Sequence, residues 1–170
     1  MNLAACGKAK EGDKAVAARP QEKAPAAHGE IDRSHKGETI PKLVFNRQDG
    51  SKLALTEFAG RRVLVNLWAT WCAPCLAEMP ALDRLAAAEA GKVTVLGVSQ
   101  DMRGWKKIRP FLAEAKLKTM TVVSDEAGSL SSALHVGGLP MTVLYDENGR
   151  EVWRVNGPRE WDMPGGFRLD

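Results

Sequence analysis

Two cysteines separated by two residues mark the boundary between a predicted strand and a predicted helix. Cys72 and Cys75 follow an apolar run over residues 63–68 and precede a segment with helical periodicity. A thiol at the start of a helix lies beside unpaired backbone N–H groups and the positive end of the helix dipole, and both favour the thiolate. The second thiol, one turn later, can attack a mixed disulfide formed by the first. Strand, Cys-x-x-Cys and helix together indicate dithiol chemistry, which a bare Cys-x-x-Cys does not.

Two other uses of the cysteine pair have weaker support in the sequence. A structural zinc site normally needs a second Cys-x-x-Cys or a His pair, and Cys6, His28, His35 and His135 do not have that spacing. A purely structural disulfide would close so short a loop that it would remove little chain entropy. Redox chemistry is therefore favoured, and zinc binding and a purely structural disulfide stay open as alternatives.

The composition fits one folded domain. Of the 170 residues, 44% are apolar, which is enough for a single core. The net charge of +3 comes without a basic block, so nucleic acid is not expected as a partner. No apolar run approaches the length of a bilayer span.

The N-terminal segment differs in composition from the rest of the chain. Residues 7–38 are mostly Ala, Lys, Glu, Gly and Pro, and Val16 and Ile31 are their only large apolar side chains. Such a segment cannot bury enough surface to offset its ordering entropy. We therefore predict a tether over residues 1–38 and a folded domain over residues 39–170.

Small residues precede Cys6 in the segment from Leu3 to Gly7. The segment resembles a bacterial lipoprotein cleavage box, which implies lipid attachment at Cys6 and a membrane anchor at the N-terminus. The charged and apolar regions of a signal peptide do not precede it. Either the natural chain begins further upstream, or the match is a coincidence in an Ala-rich stretch and Cys6 is a free thiol.

The remaining pattern alternates strands with helices and includes two hairpins. The first hairpin joins residues 42–46 and 53–55 through an Asp-Gly turn, and the second joins residues 141–145 and 151–155 through an Asn-Gly turn. Between them we predict strands over 63–68, 92–98 and 121–123, and helices after Cys75, over 105–116 and over 129–135. The alternation predicts an α/β fold with a central mixed sheet flanked by helices.

Two segments resemble the thioredoxin superfamily and, more narrowly, the TlpA branch of thiol:disulfide interchange proteins, which includes ResA and CcmG. The first runs from Leu64 to Leu82 around the cysteines, and the second runs from Gly138 to Thr142. Gly157 to Trp161 is also similar to a segment of TlpA. The resemblance covers residues 39–161 and implies a thioredoxin-like fold with an N-terminal β-hairpin extension.

The C-terminus departs from this family pattern. Residues 163–170 cannot form the usual closing helix, because they contain Pro164, Gly165 and Gly166. Either the chain is cut short there, or another segment covers that face of the sheet.

The resemblance also implies roles for individual residues. Cys72 would be the exposed nucleophile and Cys75 the buried resolving thiol, and the two would form the redox-active disulfide. Pro140 would be a cis-proline that faces them, the alternative being an ordinary proline at the start of a strand. The substrate-binding residues implied are Trp71, Pro74, Leu139 and Pro140. For Trp71, simple core packing is the alternative.

Glu78 is the implied third catalytic residue. It lies three residues after Cys75, and the resemblance makes it a candidate for tuning the cysteine pKa values or for moving protons. Thioredoxins carry a buried Asp where this chain has Asn66, and Asn cannot accept a proton. The base must then be Glu78, water or the leaving thiolate. The alternative for Glu78 is a solvated charge near the start of the helix.

The resemblance implies an exported, membrane-tethered thiol-disulfide oxidoreductase on the periplasmic side of the bacterial inner membrane. We expect a reductase whose clients are copper-handling proteins, the copper site of cytochrome oxidase or apocytochrome c. A membrane thiol transporter of the CcdA or DsbD kind would supply electrons, and no cofactor is expected.

Two other functions can be built on the same fold. A copper chaperone would need a His ligand, and His135 is the only His of the predicted domain. A thiol peroxidase would need a polar hydroxyl and Arg network around a lone reactive Cys, whereas Ala69 and Trp71 stand near Cys72.

Overall fold

All the strands that the structure describes belong to one mixed β-sheet. The structure is a computed structural model that describes Met1 and residues 29–170. Its elements in chain order are β1 (Ile31–Asp32), β2 (Val44–Asn46), β3 (Lys52–Ala54), a 3-10 turn (Leu55–Phe58), β4 (Arg62–Trp68), α1 (Ala73–Ala88), β5 (Val93–Ser99), α2 (Trp105–Ala115), β6 (Thr121–Ser124), α3 (Ser129–Ala133), β7 (Met141–Tyr145) and β8 (Glu151–Asn156). The strand order is β1-β8-β7-β4-β5-β6-β2-β3. This is the predicted thioredoxin-like α/β fold.

The central strand β4 is buried on both faces of the sheet. It pairs in parallel with β5 and antiparallel with β7. Side chains alternate along it, so that Leu64 and Trp68 enter one core while Val63, Val65 and Leu67 enter the other. Burial on both faces explains why the run is nearly continuous in apolar residues. The carboxyl end of β4 leads directly to the cysteine pair.

The two predicted hairpins are present, and their turns use the residues that the sequence singled out. In the β2–β3 turn, Gly50 has a positive φ of 88° and Asp49 Oδ1 accepts a hydrogen bond from the Ser51 amide at 2.9 Å. In the β7–β8 turn, Gly149 has a φ of 66°. These left-handed conformations are costly for residues with a Cβ and cost glycine little. The N-terminal hairpin extends the sheet, because β2 pairs with β6.

Two residues ahead of the predicted boundary at Thr39 form a strand of the sheet. β1 pairs antiparallel with β8. The Gly29 amide donates to the Pro158 carbonyl at 3.0 Å. Strand pairing at a sheet edge uses backbone groups, which the polar composition of this segment does not reveal. The rest of the predicted tether, including Cys6, lies outside the described residues apart from Met1.

An irregular aromatic segment packs where the family places a closing helix. No helix follows β8 in the described chain, as expected from residues 163–170. Trp161 is 1% exposed and stacks on Trp153 with ring centroids 6.3 Å apart. Phe167 packs edge-on against Trp153 at 6.2 Å. These rings cover this part of the sheet, as in the second of the two alternatives that the sequence left open.

Candidate active site

Cys72 and Cys75 form a disulfide at the start of α1. Cys72 is the N-cap residue, and its Sγ accepts a hydrogen bond from the Cys75 amide at 3.4 Å. Cys72 is 6% exposed, whereas Cys75 is completely buried. Of the two sulfurs, that of Cys72 is therefore the one that an incoming group can reach. In the reduced protein the helix N-terminus favours a thiolate at this position.

The residues between the cysteines suit the first turn of a helix. Pro74 stands in that turn, where its missing N–H costs no intrahelical hydrogen bond. Ala73 and Pro74 are both exposed. Together with Trp71, which is 70% exposed, they make the surface beside Cys72 apolar. This exposure excludes core packing as the reason for Trp71.

The Leu139–Pro140 peptide bond is cis, the isomer that the family resemblance implies. Pro140 immediately precedes Met141, which pairs with Leu67 near the carboxyl end of β4. Pro140 and its neighbour Leu139 therefore lie at the same end of the sheet as the disulfide. The backbone N–H and C=O of Leu139 make no hydrogen bond to any described residue. They are available to pair with an extended segment of another chain.

The Glu78 side chain is buried and accepts three hydrogen bonds. Its side chain is 5% exposed, which excludes a solvated helix charge. Oε1 accepts from Asn66 Nδ2 at 2.8 Å. Oε2 accepts from Trp161 Nε1 at 3.0 Å and from the Arg159 amide at 3.1 Å. Asn66 Nδ2 also donates to Thr142 Oγ1 at 2.9 Å, which links the carboxyl group to β7.

Burial raises the pKa of Glu78 to about 7, even though the hydrogen bonds from Trp161, Arg159 and Asn66 lower it. Desolvation penalises the charged form, and the three donors compensate only in part. A carboxyl group that titrates near neutral pH can both release and accept a proton under physiological conditions. Glu78 thus has a proton affinity suited to acid–base chemistry near neutral pH.

Trp161 and Arg159 are the members of this site that sequence reasoning did not assign. They lie about eighty residues from Glu78 and reach it only because residues 157–170 fold back over the sheet. The one sequence signal that pointed to these two residues was the likeness of residues 157–161 to a segment of TlpA. The Arg159 guanidinium holds this segment in place by donating to the carbonyls of Gly29, Gly165 and Gly166.

A substitution of Trp161 by Phe tests the donor to Glu78. The ring stack on Trp153 is largely kept while the N–H is lost, so the pKa of Glu78 should rise further. We expect a stability loss of about 1–2 kcal/mol at pH 8 and a smaller loss at pH 5, where the carboxyl group is neutral. Chemical denaturation at both pH values measures this.

The matched control is Trp153→Phe. It removes an indole hydrogen bond to the Arg168 carbonyl from the same aromatic stack without touching Glu78. Its cost should be equal at the two pH values. Equal costs for Trp161→Phe as well would show that the indole does not act on the carboxyl group.

The alternative function as a copper chaperone would need a set of metal ligands. Among residues 29–170, no group of three His, Cys, Asp or Glu side chains could hold a metal ion. His135 is exposed after α3. None of the described helices has the length and apolar character needed to cross a bilayer.

Comparisons with known proteins agree with this geometry. The Redoxin family model matches residues 35–165. The thioredoxin-like protein YneN of Bacillus subtilis is 33% identical over 116 residues, which are 67% of this chain and 67% of that protein. The thiol-disulfide oxidoreductase ResA of Geobacillus thermodenitrificans is 32% identical over 117 residues, 67% of this chain and 65% of ResA. The chain thus spans about two thirds of the length of these relatives.

A crystal structure extends the likeness to the fold. The protein, assigned as the thiol:disulfide interchange protein DsbE of Chlorobium tepidum, superposes with a TM-score of 0.68. It is 28% identical in sequence, and the match covers 75% of this chain and 89% of that one.

Proposed function

We propose, from the premise that this chain belongs to the Redoxin family and is a thiol-disulfide oxidoreductase, that it reduces disulfides in client proteins through Cys72 and Cys75. The observation that carries the proposal is the asymmetry of the pair. Cys72, the N-cap of α1, keeps 6% of its surface exposed, whereas Cys75 is fully buried. An exposed thiolate can attack a protein disulfide, and a buried thiol is shielded from every partner except the neighbouring sulfur.

The reaction begins with the reduced pair. The Cys72 thiolate attacks one sulfur of the client disulfide, forms a mixed disulfide and releases the other client sulfur as a thiolate. Cys75 then attacks the Cys72 sulfur as a thiolate, which closes the Cys72–Cys75 disulfide and releases the second client thiolate. Two electrons pass to the client, and its two thiolates each take up a proton. A thiol donor must reduce the pair again before the next cycle.

Glu78 is proposed to take the proton from Cys75 when that thiol is activated. It lies one helical turn after Cys75 on the buried face of α1. Its pKa of about 7 suits a group that accepts this proton and later returns it. The hydrogen bonds of the carboxyl group go to Asn66, Arg159 and Trp161 and not to either sulfur, so the proposed transfer does not pass through a direct contact in the disulfide form.

The client is proposed to bind as an extended segment beside the disulfide. The free backbone groups of Leu139 and the exposed faces of Trp71 and Pro74 support this arrangement. Copper-handling proteins and apocytochrome c are the proposed clients, with a membrane thiol transporter of the CcdA or DsbD kind as donor. The names of the relatives support only the class of disulfide-bearing client.

Export to the periplasmic side of the inner membrane, with anchoring through Cys6, completes the proposal. Metabolic labelling with a radioactive fatty acid, on the protein expressed from its own gene with the preceding DNA in place, tests the anchor. Label in the wild type that is lost in Cys6→Ser supports it, and an unlabelled wild type contradicts it.

The direction of electron flow is tested by the reduction potential of the Cys72–Cys75 pair. A value near that of thioredoxin, about −270 mV, is expected for a reductase. A value near that of the strong oxidant DsbA, about −120 mV, would contradict the reductase assignment. The potential is measured on the full chain in defined dithiothreitol buffers, with the oxidised fraction read by thiol alkylation.

A further inference from the structure

Four exposed basic side chains cluster at the start of α2. They are Arg103, Lys106, Lys107 and Arg109, called here the basic patch. Lys106 lies on the side of the helix opposite the buried Ile108, with Lys107 and Arg109 on either side of it. None of the four forms an ion pair with any of the residues that the structure describes. Arg109 makes one hydrogen bond, to the Gln48 carbonyl at 3.1 Å.

Hydrogen bonds between Asp101 and Thr70 join the loop that precedes the basic patch to the loop that precedes Cys72. Asp101 accepts hydrogen bonds from the Thr70 amide at 2.9 Å and from Thr70 Oγ1 at 2.7 Å. The residues next to these two, Trp71 and Met102, are 70% and 85% exposed. The two hydrogen-bonded loops therefore carry two large exposed apolar side chains, Trp71 next to Cys72 and Met102 next to Arg103.

Acidic groups around the patch do not neutralise it. Asp101 is buried and bound by Thr70 and Ser99. Glu126 is the exposed carboxylate at this helix start, and its side chain lies against Gly104. Asp49, next to the Gln48 carbonyl that Arg109 contacts, is a second exposed carboxylate near the patch. Four cations against these two carboxylates leave the surface with a net positive charge, which favours an acidic partner.

We propose that Trp71, Met102 and the basic patch together dock an acidic segment that flanks the disulfide of a client polypeptide. This names the class of client and rests on the proposed reductase function. A polypeptide fits better than a lipid surface, because the patch is continuous with the apolar residues beside Cys72. An extended chain advances about 3.3 Å per residue, so acidic residues at positions a few residues beyond the client cysteine extend past Trp71 toward the patch.

Two disulfide peptides of equal length test the proposal. One carries Glu residues at those positions and the other carries Gln. The reduced full chain is mixed with each peptide, and the second-order rate of exchange is measured at low ionic strength. We expect the acidic peptide to react about tenfold faster than the neutral one, with the advantage lost at high salt. Equal rates for the two peptides would overturn the proposal.

Charge reversal at Lys106 and Lys107 has a matched control on the same chain. Lys106→Glu with Lys107→Glu should remove the advantage of the acidic peptide and leave the neutral peptide unaffected. Lys36→Glu with Lys92→Glu changes the net charge equally. These exposed positions lie beside the starts of β8 and β5, at the end of the sheet opposite the disulfide. The control should keep the tenfold advantage. An equal loss in both double variants would mean that only the net charge matters.

Docking is also measured without any redox step. An acidic peptide with Ser in place of its cysteines is titrated into the oxidised, 15N-labelled full chain. Amide shifts at residues 102–107 support docking even if neither disulfide peptide is reduced, an outcome that would refute the reductase function alone. Absent or scattered shifts overturn docking even if exchange proceeds. Binding to phosphatidylglycerol vesicles through Lys106 and Lys107, without peptide binding, would identify a membrane surface instead.

Discussion

Replacing Cys72 by Ser is expected to abolish thiol-disulfide exchange, with the rate falling at least about a thousandfold. Cys72 is the accessible sulfur of the pair, and a hydroxyl cannot form the mixed disulfide. Reduction of a disulfide peptide by the reduced chain, followed by the absorbance of a thiol reagent, measures the rate. Cys6→Ser is the control, and it should retain the wild-type rate because Cys6 has no part in the proposed exchange.

The partner substitution should give a different and equally large effect. Cys75→Ser keeps the attacking thiol but removes the group that resolves the mixed disulfide. Client proteins should therefore remain covalently attached to Cys72 and appear as dithiothreitol-sensitive bands on non-reducing gels. Trapped complexes in Cys72→Ser, and none in Cys75→Ser, would reverse the proposed order of attack.

Replacing Glu78 by Gln should remove a pH dependence of stability. The pKa of Glu78 is raised by burial from 4.5 to about 7, so the folded state binds this proton more tightly than the unfolded state. The resulting stabilisation is complete below about pH 4.5 and is lost as the pH rises through about 7. The wild type should therefore lose up to about 3 kcal/mol over this window, and Glu78→Gln should stay nearly flat.

Gln keeps the size of the Glu78 side chain, and its amide oxygen can still accept from Trp161 Nε1 and the Arg159 amide. Rotation of the Asn66 amide by half a turn would let Asn66 Oδ1 accept from the new Gln amide, while Nδ2 would take the buried position where Oδ1 has no partner among the described residues. Stability is measured by urea denaturation of the oxidised chain between pH 4 and pH 9. Exchange by the same variant should slow by about tenfold to a hundredfold if Glu78 moves the Cys75 proton.

Glu114→Gln controls for the loss of one carboxylate. Glu114 is exposed on α2 and forms no ion pair with a described residue. This variant should keep the wild-type pH dependence. A Glu78→Gln curve parallel to that of the wild type would show that the window belongs to other groups. A normal exchange rate with a flat curve would leave Glu78 a structural role only.

Local sequence patterns predicted most of the fold. The alternation of strands and helices, the Asp-Gly and Asn-Gly turns and the cysteine pair at a helix start depend on neighbours within a few residues. β1 lies ahead of the predicted boundary at Thr39 and is held by backbone pairing to β8, and side-chain composition carries no record of that pairing.

The sequence by itself determined a dithiol at the start of a helix after a buried strand, because strand periodicity, helix periodicity and Cys spacing are local properties. Tertiary structure decided the environment of Glu78, which depends on contacts between distant segments. Asn66 from β4, Thr142 from β7 and Trp161 from the C-terminal segment meet around it. Burial by these elements is what raises its pKa to about 7. No spacing along the chain encodes how much water a carboxyl group loses on folding.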